Sequence, residues 1–259
     1  MAADEAMLGL VADGGPPSFR LYRWSGRWLS LGLAQSIADL DIPMVRYDRI
    51  GIVRRASGGT AVLHDSQIGW AVAAPLGHHL AATGVLDSYN AHAEYTVRLL
   101  RSMGVSVASA TPEQARASRD LAGGVSSICF ATLAPYEICF GAPPRKLVGW
   151  GQIRRRGVVL HHATMRWARG LDGIGRYVTL APGQVNRLAE LIVSLRDASS
   201  ASLVRPASSG TGRFGVALRA ELTAQGLLDL TGSKESEFIR RVHALNRGLY
   251  RSPEWTYRR

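Results

Sequence analysis

The sequence predicts a single α+β domain in which strands and helices are segregated along the chain. Short apolar segments that end at glycine and proline turns crowd the first two thirds, and helical segments fill the last third. The chain has 259 residues, of which 46% are hydrophobic, so it is long and apolar enough to bury a real core. We therefore expect residues 1–259 to form one domain.

The first third is predicted to begin with a helix and to continue mainly as strands. The helix over residues 1–10 ends before Gly14-Gly15-Pro16-Pro17, because glycines and prolines interrupt a helix. Residues 18–24 and 28–32 have the composition of two strands around a turn at Ser25-Gly26. The segments that follow are a short helix at 34–40, a strand within 45–53 and a buried strand at 68–74.

Helical periodicity is clear at residues 88–103, which Gly104 ends. Its apolar stripe consists of Ala93, Val97, Leu100 and Met103. Thr111 is predicted to cap the next helix, with Pro112 at its first position and Gln114 completing a capping box. Further helices are expected at 182–197, 214–226 and 233–250, with a mobile loop rich in Ser, Ala and Gly at 198–212.

Three strands between residues 136 and 165 are predicted to form a meander. Residues 136–140 alternate as a half-buried strand does, and Gly141-Ala142-Pro143-Pro144 ends that strand. Strands at 146–152 and 158–165 follow, separated by the turn Arg154-Arg155-Arg156-Gly157. Such a meander would carry Cys129 and Lys146 to the same end of a sheet.

The second informative stretch is a diglycine segment, Arg54-Arg55-Ala56-Ser57-Gly58-Gly59-Thr60-Ala61-Val62-Leu63-His64-Asp65. Paired glycines allow a ligand to approach the backbone, and the exposed N–H groups can hold an anion or a carbonyl. Arg54 and Arg55 would add forked donors for a phosphate or a carboxylate. The segment matches neither the P-loop nor the dinucleotide pattern. A tight turn with two solvated arginines is the alternative interpretation.

Cys129 is the candidate nucleophile, because it follows Ser126-Ser127 and is expected near the end of a sheet. A thiol becomes reactive beside a cation, and Lys146 would supply one. The alternative is an inert, buried cysteine, which is common for free cysteines. Cys139 lies inside an apolar alternation and is expected in the core.

The spacing of histidines and cysteines gives no reason to expect a metal. The two cysteines are ten residues apart and form no Cys-x-x-Cys pair. His161 and His162 point to opposite faces of a strand, so at most one of them serves a site. His78 and His79 are expected in a loop.

Composition narrows the partners and the cellular location. The formal charge of +11 favours anionic partners, but no basic run is interleaved with stacking aromatics, so nucleic acid is not expected. No apolar run is long enough for a membrane helix, and the N-terminus has no signal-peptide pattern. With two cysteines only, a reducing cytoplasm is expected.

Taken together, these stretches resemble the superfamily of lipoate–protein ligases, biotin–protein ligases and octanoyltransferases. Segment 54–65 is similar to its arginine/diglycine substrate loop, and Arg145-Lys146-Leu147-Val148-Gly149 to the motif that holds its characteristic lysine. Within that group the chain most resembles the cysteine-dependent octanoyltransferases. The markers are Ser126-Ser127-Ile128-Cys129-Phe130, Tyr136-Glu137 and Ser252-Pro253-Glu254-Trp255-Thr256-Tyr257-Arg258.

The resemblance implies a fold like the catalytic core of biotin–protein ligase and class II synthetases. That fold has mixed and antiparallel sheets flanked by helices, here without a C-terminal accessory domain. The resemblance also implies that Cys129 is the acyl-thioester nucleophile and that Lys146 favours its thiolate and orients the acyl carbonyl. The residues implied in substrate binding are Arg55, Ser57, Gly58, Gly59, Thr60, Ala61, His64, Gly149 and His162.

The implied activity is transfer of an octanoyl group from octanoyl-acyl carrier protein, through Cys129, to a lysine of a lipoyl domain such as the glycine-cleavage H protein. No cofactor is expected, because the donor arrives activated. One alternative is an ATP-dependent lipoate–protein ligase that forms lipoyl-adenylate. Another is an inactive relative that binds acyl chains or a partner, suggested by the bulky Trp150 where the family has small residues.

Overall fold

The computed structural model describes residues 1–65, 67–123, 125, 127–167, 171–181, 183–191, 193–198 and 212–258. The helices in these residues are α1 (Ala2–Ala12), α2 (Ile42–Tyr47), α3 (Val85–Ser102), α4 (Pro112–Leu121), α5 (Gln184–Leu191), α6 (Leu195–Ala198), α7 (Gly212–Ala224), α8 (Ser236–Leu245) and α9 (Pro253–Thr256). The strands are β1 (Ser18–Tyr22), β2 (Trp28–Leu31), β3 (Gly51–Arg54), β4 (Val62–His64), β5 (Gln67–Pro75), β6 (Ala108–Ser109), β7 (Ile138–Phe140), β8 (Arg145–Arg155), β9 (Val158–Arg166) and β10 (Leu228–Asp229). Short 3₁₀ turns cover Ile37–Asp39, Cys129–Ala131 and Leu171–Arg176, and a π-helical turn covers Asn246–Tyr250.

The described strands form two sheets. The larger sheet has the order β10-β1-β5-β9-β8-β7-β6, and the smaller has the order β3-β2-β4. Most pairs are antiparallel, while β1–β10 and β2–β3 are parallel. The predicted α+β class with mixed and antiparallel sheets is therefore confirmed, and so is the meander, since β7, β8 and β9 are consecutive neighbours.

Alternation along the central strand β5 divides the core between the two faces of the larger sheet. Trp70 and Val72 pack on the face that α3 and α7 cover, while Ala71 and Ala73 pack against α1 and α8. This arrangement follows from the period of two in strand side chains. The diglycine segment packs over the same face as Ala71, where Ser57 Oγ lies 2.7 Å from His162 Nε2.

In the first third of the chain, long-range pairing decides which sheet each strand joins. The two predicted strands at 18–24 and 28–32 exist, but β1 pairs with β5 and β10 whereas β2 pairs with β3 and β4. The predicted helix at 34–40 is reduced to the 3₁₀ turn Ile37–Asp39. Sequence reasoning missed α2, although Asp41 caps it by accepting the N–H of Met44 at 3.0 Å.

The predicted helices elsewhere are largely confirmed. The capping box of α4 is present, with both the Thr111 and Gln114 side chains bonded to backbone. The predicted helix over 182–197 is wrong as a single element, because α6 begins anew where Asp197 accepts hydrogen bonds from the backbone and hydroxyl of Ser194. The predicted loop at 198–212 falls almost entirely on residues 199–211, outside the described residues. No helix among the described residues is long and apolar enough to span a membrane.

Candidate active site

Cys129 is carried by a loop that is fastened to the end of the diglycine segment. Its backbone N–H donates to Ala61 O at 3.0 Å, and the N–H of Ala61 donates to Ser127 O at 3.0 Å. Ala61 is fully buried, so this short parallel pairing is shielded from water. The thiol itself is half-buried at the start of the 3₁₀ turn Cys129–Ala131.

Lys146 lies beside Cys129 at the start of β8. Its Nζ is 3.7 Å from Cys129 Sγ, donates to Cys129 O at 2.6 Å and contacts Glu137 Oε2 at 2.7 Å. The predicted approach of Cys129 and Lys146 is thus confirmed. Burial alone would lower the pKa of Lys146, but the adjacent thiol and carboxylate outweigh it and raise that pKa above its ordinary value. The lysine is therefore an ammonium ion at neutral pH.

Arg55 shapes the diglycine segment from within. Its guanidinium donates to Gly58 O at 2.9 Å, to Thr60 O at 2.8 Å and to Ser30 O at 3.0 Å. Gly59 has φ +88°, and its carbonyl lies so close to Gly32 that a Cβ there would be 1.7 Å from Gly59 O. Glycine is therefore required at positions 32 and 59, and the turn leaves Gly58 and Gly59 exposed at the mouth of the site.

Two histidines line the inner part of the site in their neutral form. His162 Nε2 is 2.7 Å from the hydroxyl of the buried Ser57. His64 is held by Ser30 at 2.8 Å and by Gln67 at 2.7 Å. Burial lowers the pKa of His162 to about 4 and that of His64 to about 3. Neither carries charge at neutral pH, and His161 points to the opposite face, as expected.

Glycines keep the floor of the site open. A Cβ at Gly149 would lie 3.4 Å from Lys146 Cδ and 3.5 Å from Glu137 Oε1, and one at Gly151 would be 2.3 Å from His162 Nε2. The intervening Trp150 packs edge-on against Trp70 in the core and donates Nε1–H to Tyr136 O at 3.0 Å. Trp150 therefore contributes to the core as well as to the wall of the site.

Cys129 lies where two cavities meet. The outer cavity, of about 480 Å³, is open at the diglycine segment and includes Lys146 and Glu137 in its wall. The inner cavity, of about 40 Å³, is lined by Tyr22, His64 and His162 among others. A thiol in this position borders both a large cavity and a much smaller one.

The structure brings together the residues that the sequence singled out, with a correction that concerns both arginines. The guanidinium of Arg55 is buried and donates to main-chain carbonyls of the protein rather than standing free for a phosphate or a carboxylate. Arg54 does not offer donors to a ligand: its guanidinium is fully buried and donates to main-chain oxygens. These acceptors are Gly32, Leu33, Gln35, Trp255, Thr256 and Arg258. The sequence reasoning also assigned no role to Glu137, Tyr22 or Ser30. For Glu137 the available signal was a carboxylate within an apolar alternation.

Residues 1–203 match the family model described as "Lipoyl protein ligase A/B catalytic domain". The octanoyltransferase LipM of Kyrpidia tusciae is 32% identical over 268 residues, covering 100% of this chain and 94% of the relative. LipM of Macrococcus caseolyticus is 32% identical over 174 residues, which are 66% of this chain and 62% of the relative. LipM of Moorella thermoacetica is 36% identical, and the match covers 59% of its length.

Solved structures agree with the fold. A lipoate-protein ligase A bound with ATP superposes with a TM-score of 0.75 at 20% identity, covering 99% of this chain and 92% of that one. The bipartite lipoate protein ligase of Thermoplasma acidophilum gives a TM-score of 0.74 at 16% identity, covering 99% and 91%. At these identities the structural likeness concerns the fold alone.

Proposed function

The chain belongs to the lipoyl protein ligase A/B catalytic-domain family, and on this premise we propose that it is an octanoyltransferase that uses Cys129 as its nucleophile. The observation that carries the proposal is the ammonium of Lys146 at 3.7 Å from the Cys129 sulfur, at the junction of a large and a small cavity. The relatives named octanoyltransferase LipM support the same activity. We propose that residues 1–259 act as one catalytic domain.

The reaction proceeds in two acyl transfers. In the first, the Cys129 thiolate attacks the carbonyl carbon of the octanoyl thioester on acyl carrier protein, the new C–S bond forms, and the carrier thiolate leaves and takes up a proton. In the second, a neutral lysine amine of a lipoyl domain attacks, a C–N bond forms, the C–S bond breaks and the amine proton returns to Cys129. The first step exchanges thioester for thioester and is nearly balanced, while amide formation drives the second.

The proposed substrate-binding residues divide by position. Gly58, Gly59 and Thr60 line the outer cavity, where exposed backbone N–H groups can receive a carbonyl, and Arg55 holds the shape of that segment. Ser57 and Ala61 fix its two ends, through His162 and through the backbone of Cys129. The inner residues are His64, Gly149 and His162, which border the narrow cavity.

We further propose two protein partners, octanoyl-acyl carrier protein as donor and a lipoyl domain such as the glycine-cleavage H protein as acceptor. Both kinds of domain are typically acidic, and the +11 charge of this chain would steer them toward it.

Both Cys129 and Cys139 are free thiols, which supports a reducing, cytoplasmic location.

The proposal is tested by trapping the acyl-enzyme. Incubation with octanoyl-acyl carrier protein, without acceptor, is expected to add the mass of one octanoyl group to the intact chain. Peptide mapping should place it on the peptide that contains Cys129, and hydroxylamine should remove it, as it does a thioester. An adduct on Cys139, or an uptake that requires ATP, would contradict the proposal.

Lys146→Gln is expected to slow the reaction of Cys129 with iodoacetamide at pH 7 by about tenfold, because the ammonium 3.7 Å from the sulfur no longer stabilises negative charge on the attacking sulfur. The rate is measured by mass spectrometry of the intact protein. Arg145→Gln, which removes the neighbouring and partly exposed cation, is the control, and its Cys129 should be alkylated at the wild-type rate. Equal rates for all three proteins would mean that Lys146 does not govern the thiol.

A further inference from the structure

Glu137 has no role in the reaction as described so far, yet the backbone around it is held in a costly conformation. Tyr136 immediately precedes it with φ +66°, in the left-handed region that residues other than glycine rarely adopt. Such residues persist where the surroundings impose them. Here Tyr136 N–H donates to Ala110 O at 2.9 Å, and Tyr136 O accepts from Trp150 Nε1 at 3.0 Å.

The contacts of the Glu137 side chain are those of an ionised carboxylate. Oε2 is 2.7 Å from Lys146 Nζ and accepts the N–H of Ala134 at 2.6 Å, while Oε1 accepts the N–H of Trp150 at 3.4 Å. Each of these partners is a donor, so a protonated carboxyl would have a hydrogen facing another hydrogen. Glu137 and Lys146 are both only 4% exposed at their side chains, so water screens the pair weakly.

Acylation changes the charge balance around Lys146. In the free enzyme Lys146 Nζ lies 3.7 Å from Cys129 Sγ on one side and 2.7 Å from Glu137 Oε2 on the other. Once Cys129 carries an acyl group, its sulfur cannot carry a negative charge and cannot act as a counter-ion to the ammonium. A buried lysine without a counter-ion loses its proton readily, since burial lowers a lysine pKa by up to 3–5 units. Glu137 then remains as the carboxylate in contact with Lys146.

The other charged and titratable groups around Lys146 do not replace it. Of the described residues that line the outer cavity, Glu137 alone is acidic. Arg145 of β8 and Glu190 of α5 line a separate cavity that Lys146 also borders, where Glu190 is exposed and screened by water. The other groups around Lys146 are Arg55 after β3, Tyr89 of α3, Arg119 of α4, Cys129 of the 3₁₀ turn, Cys139 of β7 and Arg166 of β9. Cations and neutral groups among these cannot balance an ammonium ion.

We propose that Glu137 is a positioning residue that keeps Lys146 protonated while Cys129 is acylated, so that an ammonium is present when the acceptor amine expels the Cys129 thiolate. The inference rests on the proposed function and deepens it. It divides the reaction in a specific way: Glu137 is needed for the second transfer, in which the thiolate is the leaving group. It is not needed for attack by the Cys129 sulfur in the free enzyme, because a carboxylate near the sulfur opposes the negative charge of the nucleophile.

The test compares wild type, Glu137→Gln and Lys146→Gln, with Glu5→Gln as the control. Glu5 is another buried carboxylate in an ion pair, with Arg155, away from the site. Isolated octanoyl-enzyme is mixed with a lipoyl domain, and the rate of octanoyl transfer is followed by mass spectrometry between pH 6 and pH 8.5. For Glu137→Gln we expect transfer about tenfold slower than wild type near pH 8 and a return toward the wild-type rate near pH 6, as expected for a buried lysine that loses its proton in this range.

Iodoacetamide provides a second measurement that needs no acyl donor. In Glu137→Gln, Cys129 should be alkylated at pH 7 at least as fast as in the wild type. In Lys146→Gln, by contrast, alkylation is expected to be slower. If Glu137 merely supported the fold, its substitution would displace Lys146. Both octanoyl transfer and alkylation of Cys129 would then be slower at every pH.

Two results would overturn the inference. One is a pH profile of Glu137→Gln that is parallel to that of the wild type; the other is alkylation slowed as in Lys146→Gln. In both cases the wild-type protein still becomes acylated. If the wild-type protein accepts no octanoyl group, the proposed function itself fails, and the two failures are thereby distinguished.

Discussion

Cys129→Ala is expected to abolish octanoyl transfer to a lipoyl domain, with a loss on the order of 10⁴-fold or more, because it removes the nucleophile of the proposed reaction. Cys129→Ser should be nearly as inactive, since a hydroxyl beside Lys146 stays un-ionised at neutral pH. The measurement is the rate of mass increase of the lipoyl domain in the presence of octanoyl-acyl carrier protein.

Cys139→Ala is the matched control. Cys139 is 3% exposed, and its thiol donates to Ala108 O at 3.4 Å. Burial raises its pKa to about 11, so it is a poor nucleophile at neutral pH. We expect this variant to keep the wild-type transfer rate, with a modest loss of stability from the small cavity that it creates.

The same variants separate the alternative functions. An ATP-dependent ligase has no use for Cys129, so lipoate-dependent release of pyrophosphate from ATP that survives Cys129→Ala would favour the ligase and contradict the acyl-enzyme route. An inactive binding relative would fold well yet fail to restore growth of a strain that requires lipoate. The likeness to an ATP-bound lipoate-protein ligase concerns the fold and does not by itself favour the ligase reaction.

The second large effect is a steep loss of stability in mild acid. Burial lowers the pKa of His64 and His92 to about 3 and that of His162 to about 4, and it lowers that of His161 well below its ordinary value. In the unfolded chain these histidines take up protons near pH 6.5. Between pH 6.5 and about 4 the unfolded state therefore binds more protons than the folded state. Stability must fall as pH falls through this window.

As the pH falls below about 6.5, each histidine that stays neutral in the folded protein lowers the free energy of unfolding by about 1.4 kcal/mol for every pH unit. Burial raises the pKa of Glu137, so this carboxyl takes up a proton more readily in the folded state and opposes the loss of stability. Its contribution is one proton, against four for the buried histidines. The lowered pKa of Asp4 matters only below its ordinary value of 3.8. Urea unfolding at pH 7, 6 and 5, followed by circular dichroism, should show the midpoint falling with pH.

Two substitutions test whether the buried histidines cause this pH dependence of stability. Both ring nitrogens of His161 are buried without a hydrogen-bond partner, and the ring packs 4.0 Å from that of His92. His161→Leu should thus make the pH dependence shallower without a loss of stability at pH 7, since it removes an unsatisfied polar group. His243→Gln, at an exposed position of α8, should leave the dependence unchanged. A midpoint that does not move between pH 7 and pH 5 would show that these histidines are not buried as described.

Local patterns in the sequence determined much of this protein. Turn residues and alternation fixed the meander of β7, β8 and β9, and the motifs around Cys129 and Lys146 identified the parts of the site, because these signals act over a few neighbouring residues. Tertiary structure alone decided that β1 and β2 enter different sheets, that Glu137 faces Lys146, and that Arg54 binds the chain near Trp255. These contacts join residues whose separation along the chain leaves no periodic trace, so they depend on how the whole core packs.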